Sequence, residues 1–173
     1  PLVCHLLKGL SLADISAIEL QNGKRKVRAD ELFTISGDDT QNIIIKNSYA
    51  KLDFIAKELQ DGLMTIEGEA GAYFGMSMKS GELTANGNVG LYAACEMKNG
   101  LLTINGNAGD FLGGALPGNK QGMKGGTVLV KGNVGQRAGD HMRRGNMLIE
   151  GNVGDYCGSR MVAGTIAVMG TTG

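Results

Sequence analysis

Apolar residues recur in a pattern that repeats every 19 residues along most of the chain. Each segment opens on glycine and carries apolar side chains at its third and fifth positions. This period-two spacing predicts a short β-strand with one buried face. Because so short a strand cannot bury its apolar face alone, we expect successive segments to stack as coils around a shared core. The paired inward positions are Met64/Ile66, Leu83/Ala85, Leu102/Ile104, Val128/Val130, Met147/Ile149 and Ile166/Val168, and their expected outward neighbours are Glu67, Asn86, Asn105, Lys131 and Glu150.

Glycine, asparagine and methionine occupy fixed places in the repeat. The segments begin at Gly62, Gly81, Gly100, Gly126, Gly145 and Gly164, and glycine returns at the seventh and tenth positions. In four of the six segments the residue after the seventh-position glycine is asparagine, namely Asn88, Asn107, Asn133 and Asn152. Since asparagine tolerates the left-handed backbone and its amide can bond along a stack, these residues predict a ladder at one corner. Methionine at the seventeenth position predicts a filler of the core.

The repeat predicts an all-β protein, a right-handed single-stranded parallel β-helix with a small N-terminal α/β cap. We expect the cap in residues 1–42 and the β-helix in residues 43–173. Counted from Gly62, the pattern gives five full coils and a truncated sixth, with a seven-residue insertion around Pro117 after the third coil. The period does not fit a left-handed helix of hexapeptides, and the outward threonines stop after Thr103, which excludes an ice-binding array. Because the chain stops midway through a coil, we expect the native protein to continue.

The first 61 residues do not follow the repeat. Ser11, followed three residues later by Asp14, predicts the start of a short helix. Residues 18–28 predict a hairpin with a type I′ turn at Asn22-Gly23. Residues 43–45 predict a strand, and residues 52–59 resemble the second half of a degenerate coil. We expect this segment to cover the first coil.

The chemistry-bearing residues are few. Three cysteines, none in a CxxC pair, argue against a disulfide framework. No apolar run could span a membrane and no signal peptide is visible, so we expect a cytoplasmic protein. We predict no catalytic residue and no metal ligand. An autonomous enzyme would have to use Cys4, His5 or His141.

Basic side chains are concentrated in the last third of the chain. Residues 120–173 carry 7 basic and 3 acidic side chains, whereas residues 62–119 carry 2 basic and 5 acidic ones. On stacked coils, Arg137, Arg143, Arg144 and Arg160 form a candidate surface for a polyanion. Nucleic acid is a poor ligand for it, because no aromatics interleave and the net charge of the chain is zero.

The repeat Gly-x-apolar-x-apolar-x-Gly-Asn-small-Gly resembles the GXGXG family over residues 43–173. That family includes the C-terminal β-helix of the glutamate synthase large subunit and the C subunit of formylmethanofuran dehydrogenase. The insertion at residues 113–126, together with residues 52–55 and 158–165, is similar to the second branch. Residues 92–94 and 137–145 are most similar to its bacterial version, the formyltransferase/hydrolase complex of methylotrophs.

The resemblance implies a non-catalytic structural protein, the C subunit of such a complex, in one-carbon metabolism and the oxidation of formaldehyde. Its partners would be the A, B and D subunits, of which the A subunit, a metal-dependent amidohydrolase, performs hydrolysis and the D subunit performs formyl transfer. Tungsten or molybdenum and an iron–sulfur cluster would belong to the B subunit in archaeal relatives. The carrier, methanofuran or methylofuran, would meet this chain only through a polyglutamate tail docked on Arg137, Arg143, Arg144 and Arg160. The alternative is a glutamate synthase-type β-helix that acts as a scaffold between two catalytic domains.

Overall fold

The N-terminal segment forms a small α/β cap over one end of a solenoid. The computed structural model describes residues 2–173. Ser11 caps a helix as expected, since its hydroxyl accepts from the Asp14 backbone N–H and the Asp14 carboxylate accepts from the Ser11 N–H. Val3 and Cys4 pack into the same apolar cluster as the coils and so close its first end. The elements of the cap are α1 (Cys4–Leu7), α2 (Leu12–Ser16), β1 (Glu19–Asn22), β2 (Arg25–Arg28) and α3 (Ala29–Leu32).

The hairpin turn lies one residue later than predicted. Asn22 pairs with Arg25, so the two central residues are Gly23 and Lys24. Of these, only Gly23 has a positive φ, of 60°. A type I′ turn needs positive φ at both central residues, so the type I′ assignment is wrong. The physical reason is that glycine supplies left-handed backbone without the steric cost that Asn22 would carry.

The rest of the chain is a single-stranded parallel β-helix, as the repeat predicts. Seven strands form one parallel sheet in which sequence order equals spatial order, so each strand pairs with the next coil's strand. The first of them adds a coil ahead of Gly62, so the count of five full coils and a partial sixth was one short. The strands are β3 (Asn42–Ser48), β4 (Leu63–Gly68), β5 (Glu82–Ala85), β6 (Leu101–Ile104), β7 (Lys124–Val130), β8 (Arg144–Ile149) and β9 (Thr165–Val168).

The core is a column built from identical positions of successive coils. From β4 to β8, the third- and fifth-position side chains are at most 1% exposed. The methionine row fills the core as predicted, with Met78, Met97, Met123 and Met142 fully buried. The expected outward neighbours are exposed, except that Asn105 is half-buried because its amide donates to Asn86 Oδ1 at 2.9 Å. Register is constant because a one-residue slip would move every inward side chain outward.

The glycine corners bring successive backbones into close contact. A Cβ built on Gly87 would lie 2.5 Å from the carbonyl oxygen of Gly68 in the coil before. Beside this corner, the asparagine ladder forms as predicted, with backbone amides as the donors. The side-chain oxygens of Asn88, Asn107 and Asn133 accept from the N–H of the next asparagine at 2.8–2.9 Å. The ladder therefore satisfies the backbone N–H of one asparagine per coil.

Candidate functional site

The four arginines of the predicted polyanion surface each have a different neighbour. The guanidinium of Arg137 lies over the ring of Tyr156, 4.6 Å from its centroid. Arg143 donates from Nη2 to the carbonyl oxygen of Lys120 at 3.0 Å. Arg144 is exposed and begins β8, in register with Lys124 of β7.

Arg160 forms an ion pair with Asp140, which is only 3% exposed. Its Nε and Nη2 donate to the two carboxylate oxygens of Asp140 at 3.0 and 2.7 Å. This two-point pairing is the strong geometry for arginine and a carboxylate. Within residues 2–173, no acidic side chain forms an ion pair with Arg143 or Arg144. The positive charge of Arg160 is therefore compensated within the chain, whereas among residues 2–173 no acidic side chain compensates Arg137, Arg143 or Arg144.

His141 packs against the same carboxylate. Its Nδ1 is 3.2 Å from Asp140 Oδ2, and its side chain is 19% exposed. Its backbone joins three coils, because the N–H donates to Ser159 O and the carbonyl accepts from Gly122 N, each at 2.9 Å. In residues 2–173, the only side-chain hydrogen bond of His141 is the one to Asp140. The geometry makes His141 part of a corner that holds the insertion in place.

The Pro117 insertion forms an exposed loop next to this corner. Its start is held by Glu96, whose Oε1 accepts from the Leu116 backbone N–H at 3.4 Å and from the Asn119 side-chain amide. Residues 117–121 are exposed. Because the carbonyl of Lys120 accepts from Arg143, the loop lies against that arginine. The structure thus brings Lys120 to Arg143, a neighbour that sequence spacing did not single out.

The cysteines lie in environments that suppress thiol reactivity. Burial, reinforced by the charge of Glu96, raises the pKa of Cys95 to about 12. Burial also raises the pKa of Cys4, whose Sγ donates to the carbonyl of Leu63 at 3.6 Å. A nucleophilic cysteine needs the opposite shift. The neighbouring His5 is directed to Gln60, 3.1 Å from its Nε2, so Cys4 and His5 do not form a reactive pair.

One row of side chains was missed in the sequence. Phe54, Tyr73, Tyr92 and Phe111 are spaced by 19 residues, and the next two positions in the row are Arg137 and Tyr156. The four rings stack, with centroids 4.7, 5.5 and 4.7 Å apart and planes within 10°. We call the six residues the aromatic column. The row could have been found in the sequence at the twelfth position of the repeat, which is aromatic in every aligned coil except that of Arg137.

The family of the chain is indicated by the repeat, the parallel sheet and the glycine corners together. A model of the GXGXG motif family matches residues 34–173. The chain belongs to the GXGXG family. Its fold is shared with a chain in the X-ray crystal structure of the formyltransferase/hydrolase complex (FhcABCD) from Methylorubrum extorquens in complex with methylofuran, with a TM-score of 0.91, 36% identity and 96% of this chain covered. The expected resemblance is confirmed.

A curated relative is similar to this chain in the formylmethanofuran dehydrogenase branch of the family. Over 57 residues, 31% of this chain, the sequence is 39% identical to the C subunit of tungsten-containing formylmethanofuran dehydrogenase 2 of Methanocaldococcus jannaschii. The matched region spans 21% of that relative, and the structural match spans 62% of the FhcABCD chain.

The residues of this GXGXG chain do not fit a metal. Among residues 2–173, no three His, Cys, Asp or Glu side chains are grouped so that they could hold an ion. Tungsten therefore has no ligand set in this part of the chain.

Within residues 2–173, no helix has the length and apolarity to cross a lipid bilayer.

Proposed function

We propose that this chain is the non-catalytic, structural C subunit of a formylmethanofuran dehydrogenase-like formyltransferase/hydrolase complex in one-carbon metabolism. The observation that carries the proposal is the likeness to the FhcABCD chain over 96% of this sequence, at 36% identity. The local chemistry supports it, because the repeated positions form core and corners and the thiols are held protonated. In this role the chain assembles with A, B and D subunits in the cytoplasm.

Affinity purification of the tagged chain from its source organism tests the assembly. We expect it to be recovered with an amidohydrolase-type and a formyltransferase-type subunit in fixed ratio. Recovery as a free monomer at native expression would overturn the proposal. Recovery covalently joined to, or tightly bound with, glutamate synthase domains would favour the scaffold of that enzyme instead.

We further propose that the basic last third docks the polyglutamate tail of methanofuran or methylofuran. The candidate residues were Arg137, Arg143, Arg144 and Arg160. Their contacts show which of these charges are already compensated. Arg137, Arg143 and Arg144 have no acidic partner among residues 2–173, although Arg137 is engaged by the ring of Tyr156, and the backbone carbonyl of Lys120 accepts from Arg143. A chain of carboxylates would gain most from these uncompensated charges. Arg160 contributes less, since Asp140 already neutralises it.

The tail proposal is tested in the assembled complex with the double variant Arg143→Glu/Arg144→Glu. We expect at least a tenfold loss of affinity for the polyglutamylated carrier, and a steep dependence of wild-type binding on salt. The matched control is Lys24→Glu/Arg25→Glu, which inverts two exposed charges on the hairpin of the cap. Equal affinity of the arginine variant and the control would rule out this surface.

A further inference from the structure

One position of the repeat carries a positive charge in four successive coils. The residue that follows each buried methionine of the row is Lys79, Lys98, Lys124 and Arg143 in turn. The backbone stacks these residues, because the N–H of each donates to a carbonyl of the preceding coil at 2.7–2.8 Å. The Pro117 insertion lies between Lys98 and Lys124 and leaves the stack unbroken. We call these four residues the cation column.

The chain does not neutralise the stacked charges of the cation column. The backbones of neighbouring rungs lie ~4.8 Å apart, and like charges on adjacent strands repel each other. Lys79 has one acidic partner, Glu58, whose Oε2 is 3.4 Å from its Nζ at the surface. In the part of the chain that the structure describes, Lys98, Lys124 and Arg143 form no ion pair. Three of the four rungs therefore keep a positive charge that no acidic side chain compensates.

Other outward positions of the repeat avoid stacking like charges. The sixth position reads, in successive coils, Glu67, Asn86, Asn105, Lys131 and Glu150. The neighbours of Lys131 in that column are thus an amide and a carboxylate. The eighth position is neutral from Asn88 onward, and the Asn88 amide donates to the one acidic member, Glu69, at 3.2 Å. A column that stacks cations over four coils therefore indicates a surface for an anion that follows the axis of the solenoid.

The cation column is one side chain wide. The residues before it are core methionines, and those after its three lysines are Ser80, Asn99 and Gly125. Only the last rung is wider, because Arg144 and Arg143 donate their N–H groups to the same carbonyl at 3.3 and 2.8 Å. A folded partner normally contributes roughly 20–30 residues to an interface. A single file of cations between small or buried neighbours fits a thread-like ligand instead.

The chemistry of the rungs favours carboxylates. Three of the four are lysines, which act as flexible point charges, whereas phosphate and nucleic acid are more often recognised by the planar fork of arginine. With rungs ~4.8 Å apart, a carboxylate between two neighbouring lysines can accept a charge-assisted hydrogen bond from each.

We propose that the cation column binds an extended chain that carries a carboxylate on each unit, with carboxylates bridging successive rungs. The inference rests on the proposed tail docking, because Arg143 belongs to both sites. It adds Lys79, Lys98 and Lys124 to that site, and it sets the direction of the bound chain along the solenoid axis.

Fluorescence anisotropy of a labelled linear decaglutamate tests the column on the full-length protein at low salt. We expect Lys98→Glu/Lys124→Glu to weaken binding at least tenfold, and Lys98→Arg/Lys124→Arg to stay within about threefold because the charges remain. The matched control is Lys46→Glu/Lys131→Glu, which reverses two exposed charges in the column of Glu67 and should stay within about twofold. A labelled decathymidylate, the phosphate probe, should bind at least tenfold more weakly than decaglutamate.

The outcomes separate this inference from the proposals on which it rests. Equal binding by the Lys98→Glu/Lys124→Glu variant and the control would overturn the column. If only Arg143→Glu/Arg144→Glu then lost binding, the tail docking would stand without the column. Decathymidylate binding as tight as that of decaglutamate would overturn the assignment to carboxylates. No binding by the wild type would overturn both the column and the tail docking, whereas co-purification tests the structural role independently.

Should the lysine variant not fold, acetylation of the wild-type lysines decides. Protection of Lys98 and Lys124 by decaglutamate, with Lys46 and Lys131 still modified, supports the column, and the absence of protection overturns it. If Lys98 and Lys124 are already protected in the assembled complex before the probe is added, a partner subunit covers the column and the proposed ligand is overturned.

Discussion

Arg160 and Asp140 join two successive coils through a pair of hydrogen bonds of 3.0 and 2.7 Å. The pair is asymmetric, because the Asp140 side chain is 4% exposed and that of Arg160 is 55% exposed. A buried carboxylate depends on its partner far more than a solvated guanidinium does.

This asymmetry predicts different costs for removing each partner. Arg160→Ala should lower the free energy of unfolding by about 2–3 kcal/mol, since it leaves a buried carboxylate without its two donors. Asp140→Asn should cost about 1 kcal/mol, because Arg160 can hydrate. Urea unfolding of the two variants measures the difference. Equal costs, or the reverse order, would contradict the interpretation.

The asparagine ladder predicts a stability effect at a surface residue. Asn107→Ala removes the oxygen that accepts from the Asn133 N–H at 2.8 Å, so we expect a loss of about 1 kcal/mol. The control is Asn146→Ala, an exposed residue of β8, where the change should stay within about 0.5 kcal/mol. Chemical denaturation of both variants checks this. A ladder variant as stable as the control would show that the bond adds nothing.

Glu96 should control the order of the insertion loop. Glu96→Ala removes the acceptor shared by Leu116 and Asn119, so the loop should open more often. Trypsin would then cleave after Lys120 several-fold faster than in the wild type, as followed by mass spectrometry. Glu82→Ala, an exposed carboxylate on β5, is the control. An unchanged cleavage rate in Glu96→Ala would mean that other contacts hold the loop.

Cys95 should make stability fall at alkaline pH. Its pKa is about 12 in the folded chain, against an ordinary value of 9.0 for a solvated thiol. The contribution is therefore complete below pH 9 and is lost as pH rises towards 12, because only the unfolded thiol ionises in that window. At about pH 10.5 the loss is roughly 2 kcal/mol.

The measurement is urea unfolding of wild type and Cys95→Ala at pH 8 and at alkaline pH. The variant should lose less stability than the wild type between the two conditions. In the native wild type near pH 8, thiol reagents should leave Cys95 unmodified until the chain unfolds. Parallel pH profiles for the two proteins would show that Cys95 is not the group responsible.

The core and the corners were predictable from the sequence, but the details of the N-terminal cap were not. Met64 and Ile66 were assigned inward because identical spacing repeats in every coil, so each coil supports the assignment of the next. The hairpin had no such support, and its turn moved from Asn22-Gly23 to Gly23-Lys24. The strand at residues 43–45 was expected within the β-helix, but its register came only from the pairing of Ile43 with Met64.

The sequence by itself determined the period, the inward face, the glycine corners and the asparagine ladder, because these follow from local spacing and from a stack in which every coil obeys the same packing. Only the tertiary structure decided which side chains meet at the corners and around the insertion. Asp140 and Arg160 are 20 residues apart and Glu96 and Asn119 are 23 apart, and neither pair shares a repeat position. Their contacts depend on side-chain direction at a corner and on the path of an insertion. Neither follows from the period, because a repeat predicts only the contacts that recur in every coil. The contacts of a residue that occurs once depend on which residues surround it in the folded chain.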